Sequence, residues 1–127
     1  MESPTLSPPH PQAAAAVLTK AMLRSAAALG LTNAALARAV GLSESTVSRM
    51  ASGTRQLDVG SKPAELAALV IRVYRSLDAL VGNSDRHRRL WMDSYNRAFN
   101  AAPREAIATA EGLARIVAYL DGARALS

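Results

Sequence analysis

Ser84, Asp85 and His87 place a hydroxyl, a carboxylate and an imidazole, the residue types of a hydrolytic triad, within four positions. A working triad draws its members together beside an oxyanion-binding element. Here all three lie in the run Ser84-Asp85-Arg86-His87-Arg88-Arg89 with no glycine-rich segment beside them, so the run reads as a solvated basic helix face. The chain has no Cys, and His10 and His87 are its only imidazoles, which removes disulfides and thiolate metal sites. No phosphate-binding loop or dinucleotide fingerprint occurs, so neither a cofactor nor enzymatic activity is expected. The chemistry that remains is that of arginine, which supplies 13 of the 15 basic residues. Its planar fork suits phosphates and guanine edges. Lys20, Arg24, Arg38, Arg49 and Arg55 fall between Leu18 and Leu57 with one acid, Glu44, whereas residues 63–127 carry nine basic and seven acidic groups. A polyanion-binding face is therefore expected in the first half.

The elements that must hold these groups are helices. Of 127 residues 27 are Ala, while aromatic and β-branched residues are scarce, so the chain is expected to be all-α. Net charge is +5 with a pI near 10.4. Residues 1–12 contain four prolines and read as a disordered tail. A helix is expected over 13–29 up to Gly30. Thr32 can cap a short helix to Val40, stopped by Gly41, and Ser43 can cap another to Ala51, stopped near Gly53. Residues 54–62 read as a loop. Pro63 opens a long helix to Val81 whose apolar stripe is Leu66, Leu69, Val70, Val73, Leu77 and Leu80. Ser84 then caps a helix to about Phe99 carrying Leu90, Trp91, Met92 and Tyr95. Pro103 opens a short helix, and Thr109 caps a last one with Leu113, Ile116, Val117 and Leu120 on one face. The start lacks a basic signal region and no apolar run is long enough to span a bilayer, so a cytoplasmic protein with no membrane partner is expected.

Leu31 to Gly53 meets the packing demands of two short helices crossing steeply through a tight turn. Ala37 is small where the helices touch, Gly41 supplies the positive φ of the turn, and Val47 and Met50 plug the second helix into Leu36, Val40 and Leu42. This segment resembles the DNA-binding domain of the Xre and phage-repressor helix-turn-helix family over residues 13–57. The resemblance implies that the third helix enters the major groove, with Glu44, Ser45, Thr46 and Arg49 facing bases and Ser43 and Asn33 holding phosphates. Arg49 suits guanine. Glu44 departs from the glutamine common there and accepts only, for example from a cytosine amine. Ala35 departs from a glutamate that closes a capping box in many relatives.

Residues 63–127 exceed what a DNA-binding headpiece needs. Trp91, Asn96 and Phe99, then Pro103, Glu105 and Ile107, then Thr109, Glu111, Gly112, Leu113, Ile116, Val117, Tyr119 and Leu120 follow an order that resembles the toxin-binding domain of Xre, MbcA and ParS antitoxins. The apolar members of this set read as core or dimer packing, and Asn96 as satisfying backbone groups at a helix end. Gly112, in the first turn of a helix, requires a close approach by a neighbouring helix or a partner. The resemblance implies a RES-type, NAD-consuming toxin as partner, its active-site mouth blocked by residues 119–127, with Tyr119, Leu120, Asp121, Gly122, Arg124 and Leu126 as contacts. A frayed helix end is the alternative for this terminus. It also implies a homodimer within a hetero-oligomeric complex, binding operator DNA and repressing its own operon. The rival reading is a stand-alone transcriptional regulator whose second half dimerises or senses a ligand.

Overall fold

A computed structural model describes residues 10–126. Residues 1–9, most of the expected proline-rich tail, lie outside the described residues, as does Ser127. Within the described residues seven helices follow one another: α1 Pro11–Ala28, α2 Asn33–Val40, α3 Glu44–Ala51, α4 Lys62–Val81, α5 Asp85–Asp93, α6 Pro103–Ala106 and α7 Ala110–Ala125. Among the described residues the only β feature is an isolated antiparallel bridge between Asn96 and Ala101. The all-α expectation holds. Most of the helix starts have a local cause. Thr32, Ser43, Ser61, Ser84 and Thr109 accept a bond from a backbone N–H of the first turn, which satisfies a donor the helix itself leaves open. Gly41 and Gly82 close α2 and α4 in the left-handed region, at φ +73° and +66°.

Beyond one-residue shifts such as the start of α4 at Lys62, two boundaries differ from the sequence expectation. α1 begins at Pro11 rather than residue 13, with His10 Nδ1 accepting from Gln12 N at 3.3 Å. Pro11 therefore starts the helix instead of prolonging the tail, because the first helical position needs no N–H. α5 ends at Asp93, six residues before Phe99. Short polar side chains divert the backbone there: Ser94 Oγ donates to the Leu90 carbonyl at 2.6 Å and Asn96 Oδ1 accepts from Ala98 N at 2.9 Å. Asn96 N then donates to the Ala101 carbonyl at 3.0 Å, and the turn carries Phe99 into the core from a loop.

α4 is the central element, packing against α1, α2, α5 and α7. One connected apolar cluster runs from Met22 and Leu29 through Val40, Val47 and Val70 to Ile107, Leu113, Ile116 and Leu120. Along α4, Ile71 is buried and Leu80 is 40% exposed, so the stripe read from the sequence ends at Leu77. Helices on several sides of α4 widen its buried arc at the middle, while its last turn lies near the surface.

Polar side chains fasten the two halves. Arg88, read as part of a solvated charge run, is buried. Its Nε donates to the Ala28 carbonyl at 3.0 Å, Nη1 meets Asp78 at 2.7 Å, Nη2 meets Asp85, and its guanidinium lies 5.4 Å from the Tyr74 ring centre. Arg104 of α6 bonds Asp93 at 2.6 Å and the Gly30 carbonyl. The C-terminal half thus grips the α1–α2 junction with two arginines. Thr19 Oγ1 donates to the Ala15 carbonyl and accepts from Leu57 N at 2.9 Å, pinning the 54–61 segment to α1. No buried side-chain nitrogen or oxygen among the described residues lacks a partner.

Candidate functional site

The first candidate surface is built on the α2–α3 pair. Leu36, Ala37, Val40, Val47 and Met50 are all buried, and Leu42 is half-buried against them. Val47 and Met50 fix α3 by one face only, so Glu44, Ser45, Ser48 and Arg49 are turned outward and Thr46 is half-exposed. Ser43 Oγ accepts from Thr46 N at 3.1 Å and lies 2.8 Å from Thr46 Oγ1 and 3.1 Å from Ser45 Oγ. Arg49 Nη2 donates to Thr46 Oγ1 at 3.3 Å, so its guanidinium is drawn toward the same hydroxyl cluster at the helix start. The carbonyl of Arg49 accepts from Ser52 and Thr54 hydroxyls, which closes the helix end. Ser43, Glu44, Ser45, Thr46 and Arg49 thus form one outward patch at the N-terminal end of α3. Asn33 is the first residue of α2 and exposed, and its side chain makes no hydrogen bond among the described residues. An N-terminal helix end with open N–H groups beside hydroxyls and a guanidinium suits phosphates and base edges.

The second candidate surface lies on α7. Leu113, Ile116, Val117 and Leu120 are buried as expected. Leu120 is fully buried, which corrects its reading as a surface contact: it follows Ile116 by one turn on the inward face. Tyr119 is 41% exposed and lies against two other aromatics, 5.3 Å from Phe99 edge-on and 6.3 Å from Trp91 between ring centres. Asp121 is bound to Arg72 of α4 at 2.6 Å, and Arg124 Nη1 reaches Ser76 Oγ at 3.3 Å. Gly122 has open space beyond its Cα, and Leu126 is 92% exposed. Residues 119–125 are helical. Helical spacing puts Arg115, Tyr119, Gly122 and Leu126 along one outward line.

Gly112 is accounted for within the chain. A Cβ there would fall 1.8 Å from the carbonyl oxygen of Ala106, so α6 is the close neighbour. Asn96 satisfies backbone groups, as its position at a helix end suggests. Sequence reasoning missed Arg88, although its spacing to Asp85 and to buried Met92, three and four residues away, marks the inward face of α5.

Comparison with known protein families gives two matches. The antitoxin Xre-like helix-turn-helix domain matches residues 8–72, and the antitoxin Xre/MbcA/ParS C-terminal toxin-binding domain matches residues 76–125. The two meet inside α4. No individual curated protein gives a significant match.

Proposed function

Because the chain belongs to the Xre-like helix-turn-helix antitoxin family and carries a toxin-binding domain behind that motif, we propose that it neutralises a RES-type, NAD-consuming toxin and represses its own operon. The protein acts as a binder without turnover, in the cytoplasm, through two working parts, residues 13–57 on DNA and 63–127 on protein. On operator DNA, Arg49 addresses guanine, Glu44 accepts from a cytosine amine, Ser45 and Thr46 line the base edges, and Ser43 and Asn33 hold phosphates. On the toxin, the outward line of Tyr119, Gly122 and Leu126 covers the mouth of the active site. Asp121 and Arg124 hold the carrying helix on α4, and Leu120 anchors it from inside. Two copies act together, because a palindromic operator presents half-sites about one helical turn apart.

The observation that carries this reading is the match of residues 76–125 to a toxin-binding domain, directly behind a helix-turn-helix whose α3 patch faces outward. Leu126, 92% exposed at the end of α7, is the apolar contact that this reading assigns to the toxin. The test is co-expression with a RES-type toxin, followed by mass determination of the complex and measurement of NAD. The full chain should preserve NAD and a chain lacking residues 121–127 should not. Leu126→Asp should weaken inhibition about tenfold or more with an unchanged melting temperature, since burying one such side chain contributes about 1.5–3 kcal/mol. Full NAD protection by the truncated chain would refute the active-site role. Failure to form any complex would leave a regulator that acts on DNA alone.

A further inference from the structure

Lys20 and Arg24 stand on α1 and, with Arg75 of α4, line a hollow of about 300 Å³ on the outer seam between the two helices. Helical spacing gathers them there: Lys20 and Arg24 follow Val17 by three and seven residues, and Arg75 follows Ile71 by four. None of the three makes an ion pair or a hydrogen bond among the described residues, and no carboxylate lines the hollow. Asp78, one turn beyond Arg75, is taken by Arg88 at 2.7 Å. Cations gathered at one seam without a counter-charge repel one another, and an anion between them reverses that. Two hydroxyls line the same hollow. Ser25 is only 4% exposed, yet its Oγ bonds nothing among the described residues, where every buried side-chain oxygen has a partner. Its hydroxyl is therefore open, and the hollow is the space it opens onto. Tyr74, half-buried with its ring centre 5.4 Å from the Arg88 guanidinium, also leaves its hydroxyl unbonded.

Through Val17, Ala21 and Ile71 this hollow continues into a second one of about 530 Å³, whose lining is apolar apart from Arg75. A cationic, hydroxyl-bearing hollow is thus joined to an apolar trough. We propose that the seam binds a small phosphomonoester with an apolar body. The phosphate lies among Lys20, Arg24 and Arg75, with the Ser25 and Tyr74 hydroxyls donating to its oxygens, and the body lies along Val17 and Ile71. A phosphomonoester carries about two negative charges near neutral pH and offers three oxygens that accept from several directions. A carboxylate offers one charge and two oxygens in a plane, a poorer match to three cations and two hydroxyls. An apolar wall with a few placed polar groups is the usual make-up of a small-molecule site, and both hollows fall within the usual range of about 300–1,000 Å³. No residue of α2, α3 or α7 lines either hollow, so the site is separate from the recognition patch and from the outward line of α7.

Calorimetric titration of phenyl phosphate, inorganic phosphate and benzoate into the full-length chain at low salt, without toxin or DNA, tests the site. Phenyl phosphate should bind one per chain. Its affinity should exceed that of inorganic phosphate about tenfold, through burial of the ring, and that of benzoate about tenfold, through the second charge. Arg24→Gln and Arg75→Gln should each weaken phenyl phosphate about tenfold and Ser25→Ala about fivefold, whereas Arg86→Gln, at an exposed position of α5, should change nothing. The ligand-free variants should keep the melting temperature of the wild type, because these side chains bond nothing in the free chain. Operator affinity should be unchanged in all of them. Absence of phenyl phosphate binding at millimolar concentration overturns the proposal, as does binding that Arg24→Gln and Arg75→Gln leave intact. Benzoate bound as tightly as phenyl phosphate removes the phosphate, and inorganic phosphate bound as tightly removes the apolar body; either result overturns the ligand class. Loss of operator affinity in Arg24→Gln or Arg75→Gln makes the cations a DNA contact and overturns the site, whatever the small probes do.

Discussion

A methyl group at Gly112 would fall 1.8 Å from the carbonyl oxygen of Ala106, so the first turn of α7 and the last residue of α6 touch backbone to backbone. That contact sets how α7 leaves the α6 corner. It thereby sets where Tyr119 and Leu126 face.

Gly112→Ala should destabilise the fold by about 3 kcal/mol, because the neighbour that must give way is main chain and not a flexible side chain. Gly122→Ala, on the same helix with open space around it, should stabilise by about 0.5 kcal/mol through helix propensity alone. Urea unfolding of the two variants gives both signs. Equal effects would mean that the α6–α7 contact is not closed in solution.

Arg88→Ala should cost about 3 kcal/mol, since it leaves Asp78 without its cation and the Ala28 carbonyl without its donor in a largely dry site. Arg86→Ala and Arg89→Ala, on the exposed side of the same helix, should leave stability unchanged. Chemical denaturation of the three variants separates the buried arginine from its solvated neighbours. Hydrogen exchange at the α1–α2 junction should rise in Arg88→Ala alone.

On DNA, Arg49→Ala should weaken binding to the operator by about 1–3 kcal/mol and leave binding to random duplex less affected. Asn33→Ala should weaken both alike, as expected of a phosphate contact. Titrations at fixed salt decide this. An equal loss on both duplexes for Arg49→Ala would remove its assignment to a base.

What the sequence determined by itself is the set of features that act within a few residues of the chain. A cap such as Thr32, Ser43 or Thr109 bonds an N–H three positions on, and Gly41 turns the chain where it stands, so α2, α3 and the start of α7 were legible as residue types at fixed spacing. The inward set Leu36, Ala37, Val40, Val47 and Met50 was legible for the same reason, since two short helices and one turn fix who meets whom. The end of α5 is local too, but it depends on Ser94 and Asn96 winning the backbone from a pattern that also supports a helix. Only the tertiary structure decided that Arg88 turns in to the Ala28 carbonyl, 60 positions earlier, that Arg104 reaches Gly30, that Leu80 faces outward and that Leu120 is core. Each of these depends on which helices surround α4. Charge and apolarity state what a side chain needs, and only the packing of distant segments states whether protein or water supplies it.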